Sequence, residues 1–301
     1  MTHPQVAPAL ARVPETAPEV VPARHPLRWI AAVLVLAAVC AAVFSVATNE
    51  NFQWNVVGAY FGTAAVLRGL WLTIWLTAAT VLLGFALGTL LAVLRLSGNP
   101  VLSGLSWGYV WLFRSIPVLV QLLFWFNIGA LYPVLGFGSF SVQTVDLLTG
   151  TVTAVIGLVL HEAAYAAEVV RGGILSVDGG QLESAQALGM TRWRVLRRIV
   201  LPQAMRAIVP PAANMLIGTL KGTSIVSVIA VHDLLHSVQL VYNRTYQVIP
   251  LLLVATVWYL ILTTLLTIVQ YYVERYFSRG AQRVPTPWQR LRAALAGGIA
   301  R

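Results

Sequence analysis

The stretch ESAQALGMTRWRVLRRIVLPQA (Glu183–Ala204) interrupts an otherwise apolar part of the chain. It holds four arginines within seven residues, at Arg192, Arg194, Arg197 and Arg198. Of the 301 residues, 58% are hydrophobic and 10% are charged, whereas a soluble protein carries about a quarter charged residues. Runs of about 20 apolar residues match the thickness of a bilayer core. The composition therefore predicts an all-α integral membrane protein in which Glu183–Ala204 lies between spans.

Six apolar runs are predicted to cross the membrane. For the first run we prefer a retained helix to a cleaved signal peptide, because it has full spanning length. YPVLGFGSF (132–140) is expected to be a turn, and Pro210 and Pro211 are expected in the first turn of the fifth span. The expected segments are a disordered cytoplasmic leader (1–28), an extra N-terminal helix (29–48), spans at about 69–94, 108–131, 150–170, 207–230 and 248–273, and a basic cytoplasmic tail (277–301).

The distribution of basic residues predicts the orientation of these spans. With a cytoplasmic N-terminus, the outside receives only two arginines, together with the acids Glu50, Asp146 and Asp233. Such an excess of arginine on one side is the positive-inside pattern, so both termini and Glu183–Ala204 are expected in the cytoplasm. The outer arginines are Arg68 and Arg244, and the inner basic residues are Arg12, Arg24, Arg28, Arg95, those of 171–206 and those from Arg275 onward.

Within Glu183–Ala204, helical spacing predicts two short helices joined at Gly189. Leu182, Ala185, Leu188 and Gly189 would share one face, and the second helix would end before Pro202. On the residues alone, two interpretations stay open. The arginines would pair with anionic lipid headgroups, or the segment would dock on a cytoplasmic partner, with the glycine allowing close approach.

The intervals in this segment resemble the signature loop of ATP-binding-cassette (ABC) importer permeases. That loop has Glu-Ala-Ala, three residues, Gly, nine residues and Ile-x-Leu-Pro, and here Ser184 replaces the middle alanine. The segments FRSIPVLVQLLF (113–124), AAYAAEVVRGGILSVDGGQ (163–181) and KGTSIVSVIA (221–230) are similar to those of polar amino acid permeases. The resemblance covers roughly 66–276, where Gly222 replaces a frequent Asp and Glu162 replaces a common small polar residue.

The resemblance implies a type I importer permease: a five-helix core, here with one extra N-terminal helix, in a bacterial plasma membrane. It implies a coupling loop over 178–202 that seats on a cytosolic ATPase subunit, with Mg-ATP bound by that subunit and no cofactor bound by this chain. The expected complex also holds an extracytoplasmic amino acid-binding protein and a second permease subunit, identical or paralogous. The expected ATPase-coupling residues are Glu183, Ser184, Ala185, Gly189, Leu201 and Pro202.

The sequence itself agrees that the ATPase is a separate protein. A phosphate-binding loop needs Gly-Lys-Ser/Thr, but the only lysine is Lys221, which follows Leu220. The chain is therefore predicted to be a transport subunit and not an enzyme. An intramembrane enzyme and a passive channel are the alternatives; an enzyme would have only the adjacent His161 and Glu162, whose side chains diverge on a helix.

Charged residues inside a span are costly and usually functional, which makes Glu162 and Lys221 candidates for the substrate path. Glu162 precedes Arg171 by 9 residues, roughly 13 Å along a helix and thus near the bilayer centre. We expect Glu162 to receive an ammonium or other cationic group of an amino acid, and Arg114 or Lys221 to meet its carboxylate. Thr223 and Ser224 would add hydrogen bonds. An internal pair between Glu162 and a basic residue is the alternative.

Three further patterns carry weaker predictions. Glu168 and Arg171 are three residues apart and are expected to form a local pair that is structural or part of a gate. His232 and His236 have a spacing that suits metal on a helix, but without a third ligand we expect solvated histidines and no metal site. The small-residue motifs Gly84–Gly88 and Gly104–Gly108 predict close helix contacts. The positive charge lies between apolar spans, so nucleic acid is not an expected partner, whereas membrane lipid is.

Overall fold

The computed structural model describes residues 26–137 and 140–277. The expected leader over 1–25 and the expected tail from 278 onward lie outside the described residues. The long helices are α1 (Pro26–Thr48), α3 (Ala64–Arg95), α4 (Pro100–Ser115), α8 (Gly150–Leu175), α11 (Leu201–Gly222), α12 (Leu234–Thr245) and α13 (Val248–Phe277). The shorter ones are α2 (Trp54–Phe61), α5 (Val118–Phe126), α6 (Ile128–Leu131), α7 (Thr144–Leu147), α9 (Gly179–Ala187) and α10 (Arg192–Val195). Short 3-10 segments cover Glu50–Phe52 and Thr223–Ile229, and a π-helical turn covers Leu196–Val200.

The helices confirm the all-α membrane class. Five helical segments among the described residues are long and apolar enough to cross a membrane, or six if α4 and α5 together form one span. α1 has 23 residues, and all of its described side chains are exposed. It belongs to a separate compact unit from residues 49–283.

The third span differs from the single helix that we expected over 108–131. α4 begins earlier, at Pro100, where the Asn99 side chain accepts a hydrogen bond from the N–H of Val101 (2.9 Å). Between α4 and α5 the chain bends by 99°. The residue before a proline avoids the helical conformation, and Ile116, which precedes Pro117, is extended (φ −98°, ψ 130°). Pro117 therefore breaks the span.

The prediction that a helix ends before Pro202 is wrong, as is the prediction that Pro210 and Pro211 open the next one. The backbone continues from α10 through the π-helical turn into α11, which begins at Leu201 and contains Pro210 and Pro211 in its interior. A proline removes one backbone donor. A π-helical turn covers Leu196–Val200, and the N–H of the next residue, Leu201, bonds to the Leu196 carbonyl oxygen. Pro202 follows Leu201. The wider turn lets the chain pass Pro202 without a break.

The segment expected to be a turn over 132–140 contains a short β-hairpin. Strand β1 (Val134–Phe137) pairs antiparallel with β2 (Phe140–Gln143), with Val134 opposite Gln143. Residues 134–137 and 140 therefore form strands and not turn. This hairpin contains the only strands among the described residues.

Close contact between α3 and α8 forms the centre of the bundle. A Cβ added at Gly88 would lie 2.6 Å from Cβ of Ala166 and 2.9 Å from the carbonyl oxygen of Ala163. One added at Gly84 would lie 3.0 Å from Cβ of Glu162. The first small-residue motif thus allows two backbones to approach. The second motif makes no such contact within the described chain, where nothing lies within 4 Å of a Cβ at Gly104 or Gly108.

Separate apolar clusters hold the two ends of the bundle. One cluster joins α3, α8 and Glu183–Ala204 through Ala92, Val170, Ala185, Val195, Val200, Ala204 and Ile208. At the other end, α2, α3, α12 and α13 meet through Val57, Val66, Leu70, Leu234, Val238, Leu251 and Val254. We call these the loop end and the α12 end.

Candidate functional site

A cleft of about 250 Å³ opens beside Glu162, between the two ends. Four helices contribute to it, α3, α5, α8 and α11, so residues far apart in the sequence meet there. The only acidic side chain among its described lining residues is that of Glu162, and none of them is lysine or arginine. The lining residues are Thr80, Val118, Leu158, His161, Glu162, Tyr165, Met215, Gly218, Thr219 and Gly222.

The cleft holds buried polar oxygens that have no hydrogen-bond partner among the described residues. Oε1 of Glu162 and Oγ1 of Thr80 are buried without a hydrogen-bond partner among the described residues. Glu162 also forms no ion pair within the described chain. A buried acceptor that lacks a partner costs free energy, and a charged one costs more. The cleft is therefore arranged to accept hydrogen bonds from a donor that the described chain does not supply.

Gln121 connects the bend of the third span to the cleft. Its side-chain N–H group donates to the carbonyl oxygens of Phe113 (2.9 Å) and Ile116 (2.8 Å), which the break deprives of helical partners. The same nitrogen lies 3.5 Å from Nδ1 of His161. Oε1 of Gln121 is buried and unpartnered, like Oε1 of Glu162. Gln121 thus fixes the bend directly beside His161.

Arg114 lies at the margin of the cleft and not in its lining. Its guanidinium carbon is 5.1 Å from the centre of the Tyr165 ring, a cation–π distance. Tyr165 in turn lies 5.0 Å from the His161 ring. An aromatic pair therefore separates Arg114 from the interior of the cleft.

The structure does not bring Lys221, Thr223 and Ser224 into the lining. Lys221 is exposed, and only its neighbour Gly222 lines the cleft. The hydroxyl of Thr223 is buried and donates to the Leu220 carbonyl oxygen (2.8 Å), and that of Ser224 donates to the Lys221 carbonyl oxygen (2.7 Å). Both hydroxyl protons are used within the helix.

Glu168 and Arg171 form the one ion pair among the described residues, with Nη2 of Arg171 2.7 Å from Oε2 of Glu168. The Nε–H group also donates to Glu168 (3.2 Å). Both residues lie in the last two turns of α8, next to the loop end.

Gly189 ends α9 in a conformation that suits glycine. Its φ is +70°, and the N–H groups of Gly189 and Met190 donate to the carbonyl oxygens of Gln186 (2.9 Å) and Ala185 (3.1 Å). This pair of bonds is a Schellman motif, which requires a left-handed residue at the helix end. Nothing in the described chain lies within 4 Å of a Cβ placed there, so the space beside Gly189 is open.

The rest of the loop presents some residues outward and anchors others. Ala185 is buried in the apolar cluster of the loop end, whereas Glu183, Ser184 and Pro202 are exposed. Leu201 is 39% exposed. The prediction that Leu188 shares a face with Ala185 is wrong: it lies at the helix end and is 80% exposed.

Sequence reasoning missed most of the cleft lining. Thr80, Tyr165, Met215 and Thr219 carry no charge, so nothing in the sequence separates them from ordinary helix-packing residues. Gln121 could have been predicted, because a proline leaves nearby backbone carbonyl oxygens without helical donors, and a glutamine a few residues away can donate to them.

His232 and His236 lie at the α12 end, with ring centroids 5.1 Å apart. No group of three His, Cys, Asp or Glu side chains in the part of the chain that the structure describes is arranged to hold a metal ion. Between them, Asp233 is fully buried, and its Oδ1 accepts from the His236 N–H (2.8 Å) at the start of α12. Burial raises the pKa of Asp233 to about 6.

Known proteins resemble the chain over most of its length. Residues 84–279 match the family model described as "Binding-protein-dependent transport system inner membrane component". The arginine transport system permease protein ArgU of Corynebacterium glutamicum is 42% identical over 93% of this chain and 89% of its own length. The glutamate/aspartate import permease protein GltK of Escherichia coli is 34% identical over 75% of this chain and 98% of its own.

The match to ArgU corrects one expectation. We placed the first span outside the resemblance, but the match leaves out fewer residues than the 25 that precede α1, so α1 is part of it. Among solved structures, an amino acid ABC transporter crystallised with histidines has a TM-score of 0.62 and 29% identity, covering 70% of this chain and 94% of that one.

The family works with separate ATPase and substrate-binding subunits, which agrees with a chain that lacks a phosphate-binding loop. These matches confirm the expected fold and the expected transport class. The chain therefore belongs to the family of binding-protein-dependent inner membrane components and is the membrane-spanning permease subunit of an amino acid ABC transporter.

Proposed function

We propose that the cleft beside Glu162 receives the cationic group of the transported amino acid. The observation that carries this proposal is the unpartnered Oε1 of Glu162 in a cleft whose described lining residues include no lysine or arginine. An ammonium or guanidinium group brings a donor for Oε1 of Glu162, and its positive charge balances the carboxylate. A relative 42% identical to this chain is an arginine transport permease, which agrees with a cationic substrate.

In this proposal the substrate carboxylate lies toward Arg114 or Lys221. Both are exposed in the single chain, and neither forms an ion pair with a described residue. Arg114 is the nearer candidate, because it contacts Tyr165 at the cleft margin. Thr223 and Ser224 are weaker candidates than the sequence indicated, because their hydroxyl protons are already donated to backbone carbonyls.

The test is direct binding of radiolabelled arginine to the purified permease–ATPase complex without the binding protein, so that only the permease selects. Glu162→Gln keeps the shape and removes the charge, and we expect it to weaken arginine binding at least about tenfold while glutamine binding changes less. Glu162→Asp is the matched control and retains partial binding. Unchanged arginine binding and unchanged preference in Glu162→Gln would show that Glu162 has no recognition role.

The loop Glu183–Pro202 is the surface that we propose for the ATPase subunit, which binds Mg-ATP. Its support is the contrast between a buried anchor at Ala185 and an outward surface at Glu183, Ser184 and Leu188, with open space at Gly189. The loop end then faces the cytoplasm, and the α12 end faces outward. Two permease subunits, identical or paralogous, complete the complex.

A further inference from the structure

A groove of about 520 Å³ lies at the α12 end, between the start of α3 and α12. Its polar lining consists of Arg68 from α3, His232 before α12, and Ser237, Arg244 and Thr245 from α12. α12 packs across the start of α3 so closely that a Cβ at Gly69 would lie 2.7 Å from the Asp233 carbonyl oxygen. The groove is therefore at the end of the bundle and away from the cleft beside Glu162.

The positive charge in this groove is not neutralised within the described chain. Arg68 and Arg244 are both exposed, and neither forms an ion pair with a described residue. None of the residues lining the groove is acidic. Asp233 is next to His232 in sequence, but its carboxyl group is buried and accepts from the His236 N–H (2.8 Å) and the Tyr259 hydroxyl (3.4 Å). Its carboxyl group is thus used inside the bundle.

An exposed aromatic side chain stands directly after the groove residues of α12. Tyr246 is 88% exposed and follows Arg244 and Thr245. Its φ is +58°, and its N–H donates to the Tyr242 carbonyl oxygen (2.8 Å). A non-glycine residue in this conformation is uncommon and costs on the order of 1 kcal/mol. Tyrosine and arginine are the residue types that protein interfaces concentrate.

We propose that Arg68, Arg244 and Tyr246 form a docking surface for acidic side chains of the substrate-binding protein. The inference rests on the proposed function, which places the α12 end on the extracytoplasmic side of the membrane. A binding site for a small molecule encloses most of its ligand, whereas here both arginines and Tyr246 are exposed, which suits a macromolecular partner. A lipid headgroup is the competing source of negative charge, and the lipid composition of the nanodiscs in the test below separates the two.

The test uses the complete complex of permease and ATPase in nanodiscs, titrated with substrate-loaded binding protein. Stimulation of ATP hydrolysis gives the apparent Kd of the binding protein, measured at low and at moderate salt. Arg244→Gln and Arg68→Gln should each raise the apparent Kd about threefold or more at low salt and less at higher salt, because exposed charges are screened. Tyr246→Ala should raise it at both salt concentrations.

Asn243→Glu is the matched control. It changes the charge of α12 by the same single unit as Arg244→Gln, and Asn243 is exposed without lining the groove. If Arg244 contacts the binding protein directly and does not act only through the net charge of α12, Arg244→Gln weakens docking more than Asn243→Glu does. Arg244→Lys keeps the charge and should restore most of the affinity.

The outcomes separate this inference from the proposed function. Equal effects of Arg244→Gln and Asn243→Glu, or unchanged affinity in all groove variants of a complex that is still stimulated, would overturn the docking surface alone. Absence of stimulation in the unaltered complex would overturn the proposed function as well. Arginine variants that alter ATP hydrolysis only in anionic nanodiscs, with an unchanged apparent Kd, would assign the groove to lipid headgroups and also overturn the inference.

Discussion

At the loop end, apolar residues hold a segment whose polar side chains face outward, whereas at the α12 end a carboxyl group is itself part of the buried structure. Ala185, Val195 and Val200 anchor the loop, and Glu183 and Gly189 stay exposed. At the other end Asp233 is fully buried and begins α12. A surface that must engage and release a partner needs exposed groups on a firm base, which apolar packing provides at the loop end and the buried Asp233 helps to provide at the α12 end.

The largest effect is expected from a variant that separates α3 from α8, the helices that connect both ends. Gly88→Val places side-chain atoms where Ala166 and the Ala163 backbone already lie, the nearest at 2.6 Å. We expect loss of folded protein, because overpacking against backbone costs at least about 1–3 kcal/mol and here involves two helices. The yield of monodisperse protein in detergent measures this loss. The control Gly104→Val meets nothing within 4 Å and should leave the yield of the single subunit near normal.

The second variant alters only the loop end. Gly189→Arg adds a bulky side chain to the surface proposed for the ATPase and places a residue with a Cβ at a left-handed φ of +70°. We expect the protein to insert and fold, while coupled uptake falls more than about tenfold, since a left-handed arginine costs only on the order of 1 kcal/mol. The measurement is the ratio of amino acid transported to ATP hydrolysed in proteoliposomes.

Gly189→Asn separates backbone strain from docking. Asparagine tolerates the left-handed conformation and keeps the Schellman motif. Its coupling should lie between those of the unaltered chain and Gly189→Arg. If Gly189→Arg retains a normal ratio of transport to hydrolysis, the open space at Gly189 is not an ATPase contact.

A third change tests the buried carboxyl group at the α12 end. Burial raises the pKa of Asp233 from 3.8 to about 6. A raised pKa in the folded state means that protonation stabilises the fold: the contribution is complete below pH 3.8 and is lost as pH rises through about 6. It amounts to at most about 3 kcal/mol.

Asp233→Asn should remove this pH dependence, because asparagine is uncharged and still serves as an N-cap. Thermal unfolding of the complex at about pH 5 and about pH 7.5 measures the pH dependence of stability. The gain in stability on acidification should be smaller in the variant than in the unaltered chain. The same gain in both proteins would mean that another group titrates.

The smallest effect is expected at the ion pair next to the loop end. Glu168→Gln removes the partner of Arg171, whose Nη2 is 2.7 Å away. Partly exposed pairs contribute roughly 0.2–1 kcal/mol, so stability should fall by less than about 1 kcal/mol. Arg171→Gln and the double variant complete a cycle for the pair. A loss of transport much greater than the loss of stability would indicate a gate.

Sequence predicted the helix end at Gly189, but it missed the outward position of Leu188, the passage of the helix through Pro202 and most of the interior. The Glu183–Gly189–Pro202 intervals are local, and a signature of fixed spacing survives without tertiary information. The bend at Pro117 follows from the restriction that a proline places on the residue before it, here Ile116. The passage of the helix through Pro202 depends on a π-helical turn, which no propensity rule contains. The cleft draws on four helices, and only its charged member, Glu162, could be singled out beforehand.

The most direct test of the whole account is uptake of radiolabelled arginine by proteoliposomes that contain this chain, its ATPase subunit and its binding protein. The account predicts uptake only when ATP is present on the side that the loop end faces, with almost none when the ATPase subunit is omitted. Uptake that persists at a similar rate without ATPase or ATP would contradict it and would make the chain a passive path.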